Sequence, residues 1–280
     1  MAGETPVRRR LVGGALRRYR ENLGYALEDA AKVLECDRSK ISRIETGQRG
    51  IRPKELRELL TEYGVKEGEQ QALLGLARRG GQGSWWDEYA DVVPEVFADY
   101  LIMEAAAAEI MTYEAQLVPD LLQTPDYARA IATAAPGGDS VDRRERLVAA
   151  KAARQDVILS SAARLSLVIG EAALRQDVGG PDVMAAQLAR LAELAANYPG
   201  ITLQVLPFSA GAHAAAGSAS LAILRFAETP SLGVVYLEAL SGGVYLEGQS
   251  DVADYVRAFT LLRSSALTVE ETGRLLRGAR

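Results

Sequence analysis

Residues 27–47, LEDAAKVLECDRSKISRIETG, constrain this chain more than any other stretch. They read as helix, tight turn, helix. Ala30, Ala31 and Leu34 fall on one face of the first helix, and Glu35-Cys36 make the turn. Asp37 stands at the N-cap position, where a carboxylate can accept hydrogen bonds from free helix N–H groups. The second helix turns Ile41 and Ile44 inward at i, i+3 spacing and carries Arg38, Ser39, Lys40, Ser42 and Arg43 outward. An apolar back with a cationic, hydrogen-bonding front suits a DNA major groove. Phosphates attract the charge, and base edges take forked donors.

The net charge of −5 runs against a nucleic-acid binder, but it is unevenly spread. Residues 1–79 carry 17 Lys/Arg and 12 Asp/Glu, a net of +5, whereas residues 80–280 carry 15 and 25, a net of −10. This is the balance of a basic DNA-facing module on an acidic body, and repulsion of the body holds the basic face toward DNA. With 48% apolar residues, the 280-residue chain has enough for a sizeable core in one large or two medium domains. No apolar run approaches the ~18 residues of a membrane span. No apolar segment follows the basic residues of MAGETPVRRRL, so secretion is not signalled and the cytoplasm is the expected compartment. One cysteine, Cys36, and one histidine, His213, leave no internal disulfide and no obvious zinc site, and no cofactor is expected.

Residues 1–10 read as a mobile arm whose Arg8, Arg9 and Arg10 touch phosphate or a minor groove, or else as a solvated tail. A first helix over 11–22 turns Leu11, Ala15, Leu16, Tyr19 and Leu23 inward, with Gly24 just past its end. After the motif, TGQRGIRP is a turn-rich loop exposing Gln48, Arg49 and Arg52. Pro53 suits the first position of a fourth helix with Leu56, Leu59, Leu60 and Tyr63 inward. A fifth, over 67–79, carries Leu73, Leu74 and Leu76. These helices make an all-α domain over 1–79, and GGQGS at 80–84 reads as a linker.

Residues 85–280 read as a larger α+β domain, helical over 85–160 and mixed over 161–280. Trp85 and Trp86 anchor a core in preference to a partner surface. Helical text, including the alanine-rich 104–113, runs to about residue 160. Thr124 and Pro125 start one helix, and 141–159 forms a long one with Leu147, Ala150 and Val157 inward. The apolar run 165–170 is followed by a helix over 181–197, a strand over 201–206, and strands at 221–226 and 234–237 joined through 228–233. Ser250 caps a helix carrying Val252, Tyr255, Phe259 and Leu262, and Thr268 with Glu271 forms a capping box. The loop of small residues between, PFSAGAHAAAGSA at 207–219, is long enough to be functional or mobile. The expected architecture is mainly α with a small mixed β-sheet.

The segment GYALEDAAKVLECDRSKISRIETG, residues 24–47, resembles the Xre/434-repressor class of helix-turn-helix regulators. Beyond the linker, WWDEYADVVPEVFADYLIMEAAAAEIMTYEAQLVPDLLQTPDYARAI, PFSAGAH and VVYLEALSGGVYLEG look like the C-terminal domain of a large set of actinobacterial regulators. That set includes WhiJ-like developmental regulators and antitoxin-like partners of small neighbouring proteins. The resemblance covers about residues 8–277. It implies binding of double-stranded DNA, with base-reading positions at Arg38, Ser39 and Arg43, and with Lys40 and Ser42 within reach of bases or phosphates. Three departures stand out. The family's serine N-cap is Ala26, its phosphate-binding glutamine is Leu27, and its turn glycine is Glu35, strained if φ is positive. Phosphate anchoring then shifts to Arg17, Arg18, Gln48, Arg49 and Arg52.

Cys36 reads as a small core residue in preference to a redox sensor. His213, with Ser209 and Ser218 nearby, marks a loop for a ligand or partner; neither a GxSxG elbow nor an acid partner accompanies it. GAHAAAG lacks the GK[ST] ending of a phosphate loop. No enzyme is expected, and no membrane association. The expected function is a sequence-specific regulator, a homodimer on a near-palindromic operator, whose 85–280 region senses a ligand or a protein. The alternative is an antitoxin-like protein that binds a small neighbouring-gene product and regulates its own operon.

Overall fold

The computed structural model describes residues 7–77, 85–135, 140–218, 220–226, 232–239 and 242–278. The chain opens with α1 (Val7–Asn22), α2 (Leu27–Val33), α3 (Arg38–Glu45), α4 (Pro53–Glu62) and α5 (Glu67–Ala77). Their apolar faces close around Leu16, Ile41, Ile44, Leu56, Leu60 and Leu73, all buried. Val7 is itself buried, so α1 starts earlier than the expected residue 11, and Arg8, Arg9 and Arg10 are helical rather than an arm. Leu23 lies past the end of α1 and is exposed, not inward as expected, because Gly24 (φ 70°) turns the chain away there. Residues 1–6 of the expected arm and the expected linker at 80–84 lie outside the described residues.

A 3-10 turn, Trp85–Tyr89, precedes α6 (Glu95–Ala106), β1 (Glu109–Glu114), a second 3-10 turn (Asp120–Leu122), α7 (Pro125–Ala134) and α8 (Val141–Leu159). Then come β2 (Arg164–Gly170), α9 (Glu171–Arg175), α10 (Pro181–Asn197), β3 (Ile201–Leu206), β4 (Ser220–Arg225), β5 (Gly233–Ala239), β6 (Gly242–Leu246), α11 (Gln249–Ser265) and α12 (Val269–Gly278). The strands form one mixed sheet in the order β3-β2-β1-β4-β5-β6. β1, β2 and β3 run parallel, and β4, β5 and β6 extend the sheet antiparallel from β1. The helical N-terminal region with an α+β remainder is the fold class expected. The sheet is nevertheless larger than expected. β1, its centre, lies in a stretch read as helix, and β6 was not expected.

Local signals hold where capping chemistry is explicit. Thr124 Oγ1 accepts from the Tyr127 N–H at 3.3 Å. Thr268 and Glu271 exchange capping bonds at 2.8 and 3.1 Å. α11 begins at Gln249 behind Gly248, so Ser250 is inside the helix and not its cap.

Alternation along the strands gives the sheet two apolar faces. Met111, Tyr113, Ile223 and Val235 pack with Val252, Phe259 and Leu262 of α11. Ile110, Leu167, Leu224 and Val234 join a larger cluster that takes in Tyr100, Met103, Tyr127 and Leu191. That cluster runs on without a break into Leu16, Ile44 and Leu73, since α1 and α5 pack on α6. Arg8 is paired with Asp99 at 2.8 Å and Arg10 with Glu247, both across this junction.

Candidate nucleic-acid interface and sheet cavity

α3 is fixed from behind by α1. A Cβ on Gly13 would lie 2.3 Å from the Ile44 carbonyl oxygen, so only glycine lets the two helices approach this closely. Arg20 Nε and Nη2 donate to the Glu45 carboxylate at 2.7 and 2.8 Å, and Nη1 donates to the Tyr25 carbonyl at 2.7 Å. Both side chains are buried, which makes this a bidentate pair shielded from water. At the front of α3, Asp37 has the extended backbone of an N-cap, yet its carboxylate makes no cap bond. The cap missing at Ala26 is offset by Asp29, whose Oδ2 accepts the Ala26 N–H at 2.9 Å. Glu35 has φ 45°, the one positive value at a non-glycine residue among the described residues.

Arg38, Ser39, Ser42 and Arg43 share one face of α3, at i, i+1, i+4 and i+5. Arg38, Ser39 and Arg43 are exposed and Ser42 is half-buried. Arg38 Nη1 donates to Glu28 Oε1 at 3.1 Å, and Arg43 Nε bends back to the Ser39 carbonyl at 3.2 Å. The Glu28 carboxyl is held below the usual range by its own backbone N–H and then by Arg38. Solvent screens exposed pairs of this kind, so a phosphate or base edge can replace them.

Lys40 leaves that face. Its Nζ lies 2.6 Å from Glu55 Oε1, largely shielded, and tethers α3 to α4. The bond from Lys40 outweighs burial and holds the Glu55 carboxyl low. Gln48, Arg49 and Arg52 are exposed on the loop after α3. On α1, Arg17 pairs with Glu21 at 2.8 Å, and Arg18 is half-buried. Between the helical unit and α6 lies a cleft of about 1240 Å³, whose lining includes Arg8, Arg9, Lys40, Arg49, Arg52 and Trp86.

Cys36 is half-buried against the core, as a small core residue would be. The three loop candidates are not drawn into one constellation. The His213 ring meets Tyr113 edge-on with centroids 5.8 Å apart. The Ser218 hydroxyl donates to the Ser220 carbonyl at 3.0 Å. Ser209 is exposed. Tyr113 belongs to the α11 side of the sheet, so His213 sits there too.

The opposite side holds a cavity of about 480 Å³ that sequence reasoning missed. Its floor is Thr112 and Glu114 of β1, Ser220 and Ala222 of β4, and Tyr236 and Glu238 of β5. α6 and α8 cover it. Arg154 donates twice to the buried Glu104 carboxylate, each at 2.7 Å, and its guanidinium lies 5.4 Å from the ring centroids of Phe97 and Tyr100. Lys151 Nζ donates to Asp120 at 2.8 Å and to Gln123 at 3.2 Å. Burial works to raise the Asp120 carboxyl, but Lys151 and Arg154 together hold it below its ordinary value. Glu114 is otherwise placed. It accepts the Ser220 hydroxyl at 2.7 Å, yet burial pushes its carboxyl up to about 8. Glu238, more open at the cavity's edge, is also raised, by burial and then by Asp120. Thr112 with Glu114, and Tyr236 with Glu238, are period-two pairs. That signal could have found both carboxylates once β1 was recognised as a strand.

Residues 11–74 match the family of helix-turn-helix domains. Residues 97–278, more than half of the chain, match a domain of unknown function, DUF5753. No curated protein and no solved structure matches the chain. Among the described residues, no helix is long and apolar enough to cross a membrane. The N-terminal unit is therefore a helix-turn-helix domain, a type that binds DNA.

Proposed function

Because the chain belongs to the family defined by the domain of unknown function DUF5753, carried here behind a helix-turn-helix domain, we propose that it is an Xre-type transcription regulator. Its C-terminal region, residues 85–280, adjusts DNA binding in response to a small molecule. One observation carries this reading. α6 turns Phe97 and Tyr100 toward the sheet cavity and Ile102, Ala105 and Ala106 toward the cleft beside α3. A change in the cavity thus has a rigid element through which to reach the DNA-binding unit.

Arg38, Ser39 and Arg43 read base edges, and an arginine forked onto guanine discriminates by about 1–3 kcal/mol. Ser42 reaches base or phosphate. Arg17, Arg18, Gln48, Arg49 and Arg52 hold the backbone, which fixes register without reading sequence. Lys40 reaches phosphate by exchanging Glu55 for it. The protein acts in the cytoplasm as a non-enzymatic homodimer. Its two α3 helices lie about 34 Å apart on a near-palindromic operator, with dimer contacts from residues 85–280. An antitoxin-like role, with a small neighbouring-gene product as partner, draws support from β6. This strand lies at the sheet edge with Val244 exposed, and an edge strand can pair with another chain.

The test compares two arginines on an operator found by genome-wide footprinting. Arg43→Ala is expected to relax base preference by roughly 1–3 kcal/mol. Arg49→Ala is expected to weaken all sequences alike and to lower the salt slope by about 1. Equal effects of both variants on operator and random DNA would overturn the assignment.

A further inference from the structure

We propose that the sheet cavity is a site for an organic cation: an ammonium group seated between Glu114 and Glu238, with an apolar body lying along Phe97, Leu117, Ile131 and Leu147. The inference rests on the reading that the C-terminal region senses a small molecule, and it adds the chemical class of that molecule.

Charge balance inside the cavity carries the argument. Its two cations are already neutralised. Arg154 is held by Glu104 at 2.7 Å and approached by Asp120 at 3.4 Å, and Lys151 is held by Asp120 at 2.8 Å. Glu114 and, at the exposed rim, Glu238 line the same space; among the described residues neither forms an ion pair, although Arg154 favours the charged form of both. An anionic ligand would meet two carboxyl groups and no free cation. A cationic one completes the balance by drawing the Glu114 carboxyl into its ionised form. The volume, about 480 Å³, lies in the range of small-molecule sites. The lining joins those carboxyls to aromatic and aliphatic side chains, which fits a charged head on an apolar body better than a bare metal ion. Tyr236 and Phe97 also line the space, and aromatic rings are the kind of surface that attracts ammonium groups.

The protonation state of the empty site supplies a second signature. The Glu114 carboxyl, at about 8, is mostly neutral at pH 7. Around it stand Ser220 from β4, Glu238 from β5, Asp120 from the 3-10 turn, and Lys151 and Arg154 from α8; Tyr100 of α6 lines the same space. Burial dominates. Ser220 and Arg154 favour the charged form, and Glu238 and Asp120 oppose it. A cation arriving beside this group favours its ionisation, so binding releases a proton.

The experiment titrates the intact protein with phenethylamine, 3-phenylpropionate and 2-phenylethanol in a calorimeter at pH 7, in buffers of different ionisation heat. The amine is expected to bind at least about tenfold more tightly than the other two, with proton release. Glu114→Gln and Glu238→Gln should each weaken it by about tenfold or more, and Glu114→Gln should abolish the release. Glutamine mimics the protonated acid, so Glu114→Gln keeps its fold, checked by circular dichroism. Equal binding of the carboxylate or the alcohol, or no binding of the amine at millimolar concentration, overturns the inference. Binding of the carboxylate alone would do so while leaving a small-molecule site in place. If the amine binds as expected but operator affinity does not move, the site stands and the sensing reading fails.

Discussion

Gly13 sets how closely α1 can lie on α3. Alanine there would gain up to about 1 kcal/mol in helix propensity. Its Cβ would meet the carbonyl oxygens of Ile44 and Glu45 at 2.3 and 2.7 Å. Backbone cannot yield as a side chain does, so Gly13→Ala is expected to destabilise the protein and to weaken operator binding together. Denaturant unfolding and a DNA titration check both, and a more stable variant with unchanged DNA affinity contradicts the account. Glu114 makes a different prediction. Its folded carboxyl titrates near 8 while an unfolded glutamate titrates near 4.5. Between those values the unfolded chain has lost a proton that the native state keeps. Stability therefore falls as pH rises through that window, and Glu114→Gln removes that part of the fall, read as unfolding midpoint against pH. At this scale the sequence was legible wherever the partner lies within a turn. Thr124 and the Thr268–Glu271 box follow from neighbours a few positions away, and the positive φ at Glu35 falls where the resemblance places a glycine. The Arg20–Glu45 and Lys40–Glu55 pairs join residues 25 and 15 positions apart, which local pattern does not reach. Helical phase did hold a hint about Lys40, since two positions along a helix from Arg38 is nearly the opposite face.

Among the elements, β1 shows why half-buried strands are easier to read than central ones. Glu109–Glu114 has its four middle residues buried, with parallel β2 on one side and antiparallel β4 on the other. Burial on both faces removes the polar-apolar alternation that marks an edge or surface strand. The alanine-rich residues before it belong in part to α6, which ends at Ala106, so helix-forming composition runs up to the strand. α8 and α6 are joined by the Arg154–Glu104 pair, with Glu104 almost wholly enclosed. Arg154→Met leaves that carboxylate without its cation and is expected to cost about 3–5 kcal/mol, measured by chemical denaturation. Changing Glu104 to leucine in the same chain should recover much of the loss, because an apolar pair of similar volume replaces an ionic one at little cost.

Over the whole molecule, the charge split put the basic unit first and the acidic body second, and that much was visible in composition. The contact between them was not: α5 and α6 meet where Gly75 faces Ala106, and the Arg8–Asp99 and Arg10–Glu247 pairs that cross it join residues 91 and 237 positions apart, beyond the reach of local pattern. Association is the prediction at this scale. Sedimentation at micromolar concentration should give a dimer with operator, and a monomer both alone and on DNA would count against the proposed arrangement. The unbroken core from α1 through α6 to the sheet has a further consequence, for exchange rather than for shape. Any amide of α3 that exchanges only through global unfolding reports on whatever stabilises the native state, events at β1 and β5 included. A ligand at one hundred times its dissociation constant stabilises the native state by about 2.7 kcal/mol. Such amides of the DNA-facing helix should then exchange roughly a hundredfold more slowly, although that helix touches nothing in the cavity.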